Sequence, residues 1–167
     1  YGKWHDPVCN HTYNGQGASW IISEYNGKHF MEQMRIRNDK PHRTFPMLTS
    51  GDRFWRDYTI TASVRMFTTK WVCGIGFVVQ NSANLLVLVL KNHELRVEYR
   101  HKEEVTILDS VAFNYNCDDT YILKAEIKGS HVICSVDDKV YLTLTLNMPY
   151  RVAKSPLQQR SLHSLVL

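Results

Sequence analysis

From Ala18 onward, apolar and polar residues alternate with a period of two, in one run after another. A β-strand sends successive side chains to opposite faces, so this pattern restricts the chain to strands that are wet on one side and packed on the other. In the run from Asp57 to Phe67, Tyr58, Ile60, Ala62, Val64 and Met66 share one face, and Thr59, Thr61, Ser63 and Arg65 share the other. In Thr120 to Lys128, Tyr121, Leu123, Ala125 and Ile127 oppose Ile122, Lys124, Glu126 and Lys128. Leu95, Val97 and Tyr99 alternate with Arg96, Glu98 and Arg100, and Val132, Cys134 and Val136 lead through Asp137-Asp138 to Val140, Leu142, Leu144 and Leu146. No long segment carries the 3.6-residue apolar period of a helix.

Turn chemistry divides these runs. Ala18 to Glu24 and Lys28 to Met34 read as two strands paired across Tyr25-Asn26-Gly27, because the Asn-Gly step suits the positive φ values of a tight hairpin. Residues 38–53, with Pro41, Pro46 and Gly51, read as a loop. Trp71 to Val79 is a continuous apolar strand whose Gly74 and Gly76 predict a close backbone approach or a bulge. Leu85 to Leu90 is a second apolar strand, Lys91-Asn92-His93-Glu94 is a turn, and Glu103 to Leu108 continues the meander. Roughly ten strands at spacings of about 8–12 residues are the signature of an all-β sandwich or barrel. The predicted organisation is an irregular segment at 1–17, a β domain at 18–148, and a last strand or tail at 149–167. Tyr58, Ile60, Val64, Leu95, Val97, Leu123, Ile127, Val132, Val136, Leu142 and Leu144 are the expected core.

Composition narrows the function classes. A chain of 167 residues can bury one core without staples. The formal net charge of +4 is spread along the chain and is too mild to imply a nucleic-acid partner. The longest apolar run is strand-sized, so membrane insertion through a helix is not expected. The first residue is Tyr1 rather than Met, and the expectation is a processed chain or part of a larger multidomain protein. Cys9, Cys73, Cys117 and Cys134 form no CxxC pair; Cys73 and Cys134 fall within apolar strand patterns and read as buried thiols. Asn10-His11-Thr12 fits the glycosylation acceptor pattern.

The block from Gly51 through Trp55-Arg56-Asp57-Tyr58 to Arg65 resembles a recurring element of concanavalin A-like (laminin G-like) jelly rolls, in which a glycine and Trp-x-Asp-Tyr precede an alternating strand. The downstream order is also similar: Gly74-Ile75-Gly76-Phe77, a Leu-rich strand, Tyr121 to Gly129, then a strand ending in Val136-Asp137-Asp138 followed by Val140-Tyr141-Leu142. The resemblance spans roughly residues 18–146 and implies an antiparallel jelly-roll β-sandwich. It also implies an extracytoplasmic setting, whether secreted, periplasmic or cell-surface. The chain departs from the family pattern after Leu146, where no Gly-x-Ile-Gly strand follows. Lectin-like modules, glycoside hydrolases and polysaccharide lyases share this fold, so chemistry must be argued from residues.

The Glu-x-Asp-x-x-Glu strand that sets two carboxylates beside a sugar bond in the glycosidases of this fold is missing. The adjacent pairs Glu103-Glu104 and Asp118-Asp119 read as solvated turns. Arg96-Val97-Glu98-Tyr99-Arg100 has the Arg-x-Glu-x-Arg spacing of alginate-lyase-like jelly rolls, and arginines can pair with uronate carboxylates, but the accompanying motifs are lacking and a water-facing strand surface is the simpler reading. His5, Cys9 and His11 match no standard zinc spacing. Asp52, Asp137 and Asp138 are candidates for a structural Ca²⁺, against the simpler role of turn formers; no other cofactor is expected. Trp4, Trp20, Trp55 and Trp71, with nine tyrosines, suit sugar stacking as well as core packing.

Arg65, Arg96, Glu98, Arg100, Lys124 and Lys128 are therefore the candidate ligand-binding residues, as a basic stripe if their strands are neighbours in one sheet. The expected function is a non-catalytic, lectin-like carbohydrate-binding or accessory module of a secreted carbohydrate-active protein, with a polysaccharide or glycan as partner. The alternatives are a jelly-roll hydrolase or lyase acting on an acidic polysaccharide, and a structural or protein-interaction sandwich.

Overall fold

The computed structural model describes residues 20–33, 47–50, 55–68, 72–81, 84–101, 104–147 and the backbone of 165–166. Alternation and turns convert these residues into strands β1 (Trp20–Tyr25), β2 (Lys28–Gln33), β3 (Met47–Leu48), β4 (Thr59–Arg65), β5 (Cys73–Asn81), β6 (Asn84–Lys91), β7 (Glu94–His101), β8 (Glu104–Ala112), β9 (Thr120–Lys128), β10 (His131–Val136), β11 (Lys139–Thr145) and β12 (Leu165–Val166). No helix occurs among the described residues. The strands form a two-stranded hairpin β1-β2, a four-stranded sheet in the order β11-β10-β9-β4, and a six-stranded sheet in the order β3-β12-β5-β6-β7-β8. The assigned strand pairings are antiparallel.

Tight turns fix the registers. Asn26 and Gly27 adopt φ of 49° and 72° and pair Tyr25 with Lys28, as the Asn-Gly step predicts. Asn92-His93 and Asp137-Asp138 also take positive φ and close β6–β7 and β10–β11. The two larger sheets enclose the core, in which Ile60, Val64, Leu95, Val97, Leu123, Ile127, Val132, Val136 and Leu142 are buried, with Tyr58 and Leu144 packed half-buried against it. Phe113 joins the sheets at one end, edge-on to Tyr121 and Tyr141 with ring centroids 5.7 and 5.1 Å apart. The molecule is an antiparallel β-sandwich.

Three expectations change. Met47 and Leu48, within the predicted loop 38–53, form β3, and they reach the six-stranded sheet through β12. Val140, predicted to point inward, is 56% exposed. A bulge after Cys134 pairs Ser135 with Val140 and leaves Tyr141 as the extra residue, so it is Tyr141 that packs toward the core. The outer face of the six-stranded sheet is closed to water along β6, although on the edge strand β8 of the same face Val105 and Ile107 are half exposed. Every residue from Leu85 to Leu90 is buried, with Leu86, Leu88 and Leu90 in the main core and Leu85, Val87 and Val89 in a second cluster with Met47 on the opposite face. A continuous apolar run is what a strand buried on both faces requires.

Gly74 meets the predicted close approach. A Cβ built there would lie 2.1 Å from the Leu88 carbonyl oxygen and 2.9 Å from Val89, a distance that only glycine permits. Farther along β5, the register shifts between Phe77 and Asn81, and Val78 takes a φ of 50°. A β-branched residue in the left-handed region is strained by about 1–3 kcal/mol and must be held by its surroundings. Here the Val78 N–H donates to the Tyr58 hydroxyl at 2.8 Å. Burial pushes the Tyr58 hydroxyl above its ordinary pKa, so it stays neutral. Removing this acceptor with Tyr58→Phe is expected to cost about 1–2 kcal/mol in a denaturant titration. A midpoint and slope unchanged from the parent would show that the bulge holds itself.

Candidate binding cleft

The residues singled out in the sequence fall on two different sheets. Arg65 ends β4, while Lys124 and Lys128 lie on its neighbour β9, outward of Leu123, Ala125 and Ile127. Lys124 pairs with Thr61 and Arg65 with Thr120, so the three cations are spread along the pair, and Glu126 separates the two lysines. Arg96, Glu98 and Arg100 belong to β7 in the six-stranded sheet, on its outer face. The single basic stripe does not form, because the sandwich core lies between its two halves.

The β7 group is also not a water-facing surface. Arg100, Glu98 and Arg96 stand cross-strand from Leu85, Val87 and Val89, the residues of the second apolar cluster. The Arg100 guanidinium donates to the Glu98 carboxylate at 2.8 Å, with side chains 6% and 1% exposed. Burial pulls the Arg100 guanidinium below the usual arginine range, and the neighbouring carboxylate opposes that shift. Arg96 donates to Glu94 at 2.6 Å and is half-buried. The Arg100–Glu98 pair is internal and the Arg96–Glu94 pair part-buried, so these cations are already engaged within the sheet rather than displayed to a ligand.

Arg65 is different. It sits in a cleft of about 610 Å³ between the β1–β2 hairpin and the end of β4, with Val72, Cys73 and Thr120 in the wall. The guanidinium carbon lies 3.9 Å from the centroid of the Tyr25 ring and 5.2 Å from that of Phe67. The Asn26-Gly27 turn presents Tyr25 at the hairpin tip, and Phe67 follows Arg65 by two positions on the same side of the chain. Tyr25 and Phe67 remain 51% and 54% exposed. Asp118 accepts from the Arg65 guanidinium at 3.1 Å. It is held there by its own φ of 69° and by a 2.8 Å bond from its N–H to the Met66 carbonyl. The guanidinium is thus braced against two rings by a fixed carboxylate.

The lining offers stacking surfaces, cations and hydrogen-bonding groups. Among its described residues the one carboxylate is Glu32, which accepts from the Ser23 hydroxyl across the hairpin. Burial raises the Cys73 thiol to about 12, which leaves it protonated and unreactive at neutral pH, and does the same to Cys134 in the core. No group of three or more His, Cys, Asp or Glu gathers to hold a metal among the described residues. Asp137 and Asp138 form the β10–β11 turn, where the Asp137 carboxylate accepts from the Ile122 N–H at 2.8 Å. His5, Cys9, His11, Asp52, Trp4 and Trp71 lie outside the described residues, and Trp20 and Trp55 are half-buried.

No protein-family model matches the sequence, and neither does any curated protein. The fold is similar to that of a carbohydrate binding module. That solved structure, the carbohydrate binding module CBM66 from Bacillus subtilis, superposes with a TM-score of 0.65 over 87% of this chain and 81% of its own. At 9% sequence identity the likeness to CBM66 is one of architecture. Binding residues cannot be carried across from CBM66 at that distance, so the cleft is argued on its own groups.

Sequence reasoning reached Arg65 and passed over its aromatic partners. A signal existed: Phe67 has the parity of Thr59, Thr61, Ser63 and Arg65, so an aromatic was written on the polar face of its strand. Tyr25 adjoins the hairpin turn, where a large ring has no core to enter.

Proposed function

We propose that this domain is a non-catalytic carbohydrate-binding module that holds a saccharide in the cleft between the β1–β2 hairpin and the end of β4. The observation that carries this reading is the pair of half-exposed rings, Tyr25 and Phe67, set beside one anchored guanidinium. Sugar rings present C–H faces that stack on aromatic side chains, while the surrounding polar groups meet the hydroxyls. The sandwich shared with CBM66 supports the same direction, as does the resemblance to concanavalin A-like domains around Trp55 to Arg65. In this reading the domain is an accessory unit of a larger extracytoplasmic protein.

The test is calorimetric titration of the 167-residue chain against soluble glycans, with product analysis of the same mixtures. Tyr25→Ala and Phe67→Ala are each expected to weaken binding about tenfold, equivalent to about 1.4 kcal/mol, with the fold intact by circular dichroism. Release of reducing ends or unsaturated products would assign an enzyme instead. Failure to bind any glycan would leave a structural sandwich.

A further inference from the structure

Tyr25 and Lys28 are direct cross-strand partners at the tip of the β1–β2 hairpin, so their side chains leave the same face of that ribbon. Arg65 lies over the Tyr25 ring from β4. Two cations from different elements therefore flank one exposed aromatic ring. Lys28 makes no ion pair among the described residues, and the partner of Arg65, Asp118, is itself 64% exposed. The Nε of Arg65 is buried without a hydrogen-bond partner. Glu32, the carboxylate of the described lining, is four residues along β2 from Lys28, about 13 Å away at the usual strand rise, and is engaged by Ser23. Lys28 and Arg65 thus gather at one end of the lining, with Asp118 as the single counter-charge paired to Arg65 among the described residues, and the lining's own carboxylate, Glu32, lies toward the other end.

We infer that the cleft selects an acidic saccharide, with a carboxylate or sulfate seated between Lys28 and Arg65 while its ring stacks on Tyr25. The inference rests on the carbohydrate-binding reading and adds the chemical class of ligand and the end of the cleft at which its charge lies. A neighbouring pair of cations without an equal complement of anions repels itself, and an anion placed between them relieves that repulsion while accepting charge-assisted hydrogen bonds. A neutral sugar would gain the stacking and the hydroxyl contacts without the ion pairing. Because the site is open to solvent, the anionic contribution must fall as the Debye length shortens with added salt.

The experiment titrates the full chain with three oligosaccharides of equal length, one uronate-bearing, one sulfated and one neutral, at low and at high salt. Parent, Lys28→Gln and Tyr25→Ala proteins are compared. At least one acidic ligand is expected to bind tenfold or more tightly than the neutral one, to lose about three- to tenfold affinity in Lys28→Gln and to weaken with salt. Neutral binding should fall less than acidic binding in Lys28→Gln and should be reduced in Tyr25→Ala. The ratio of the two acidic affinities reports whether the seat fits a planar carboxylate or a tetrahedral sulfate. Equal affinity for neutral and acidic ligands, or acidic binding indifferent to Lys28→Gln, overturns the inference and leaves the carbohydrate-binding reading standing. Absence of binding to all three, with none to the wider glycan panel, overturns both.

Discussion

Arg100→Met is expected to lower the unfolding free energy by about 3–5 kcal/mol, the largest loss for any single substitution considered for this domain. The reason is the partner left behind. Glu98 is 1% exposed and receives the Arg100 guanidinium at 2.8 Å, among Leu85, Val87 and the rest of the outer apolar cluster. Without the cation, a carboxylate would remain out of water with nothing to balance it. Removing both charges together, as in Glu98→Leu with Arg100→Met, takes away the penalty along with the attraction and is expected to cost far less than the two single changes combined. Guanidinium-chloride titrations of the two single variants and the double variant measure this coupling. Single losses below about 1 kcal/mol would mean that water reaches the pair.

Leu123→Ala is the second large effect, at about 2–5 kcal/mol. Leu123 is fully buried on β9, with Ala62 of β4 on one side and Val136 of β10 on the other, at the centre of the four-stranded sheet. Close neighbours on both sides leave little freedom to collapse into the space, so the loss should lie toward the upper part of that range. Leu144→Ala, at a half-buried site nearer the sheet edge, is expected to cost less. The same denaturation series compares them, and a larger loss at Leu144 than at Leu123 would contradict the packing described.

Much of the sandwich was legible because period-two alternation and turn chemistry are local. The pattern of Thr120 to Lys128 gives β9 without error, and Asn26-Gly27 gives the hairpin. What was not legible depends on contacts between distant residues. The parity of β11 fails at Val140 because β11 itself carries a bulge at Tyr141, and alternation cannot foresee an extra residue. Arg96, Glu98 and Arg100 were correctly placed opposite the core yet wrongly given to solvent, because the cover on that face involves Met47 as well as Leu85, Val87 and Val89. The run from Leu85 to Leu90 carried the warning: a strand apolar on both faces needs a second layer, and charged residues paired beside it share that layer. The cleft was half visible. Arg65 was chosen for its charge, but its strand neighbours did not reveal that a hairpin some forty residues earlier supplies the ring it stacks on, a separation on the order of what no local pattern encodes.

The position of β12 bears on how the chain can reach this state. Leu165 and Val166 lie between β3 and β5, and among the described pairings β3 has no other hydrogen-bonded neighbour. On a ribosome, β5 to β8 emerge early and can pair as successive hairpins, but the place beside Gly74 stays vacant until the residues at 165–166 have been made. During that interval β5 presents an open backbone edge next to Met47 and the outer cluster, the kind of edge on which another chain can add a strand. Closing it joins residues far apart in sequence, a costly loop to form and a slow one. Leu165 and Val166 therefore act as a latch over the β5 edge, one that can close only after the strands it covers have been made.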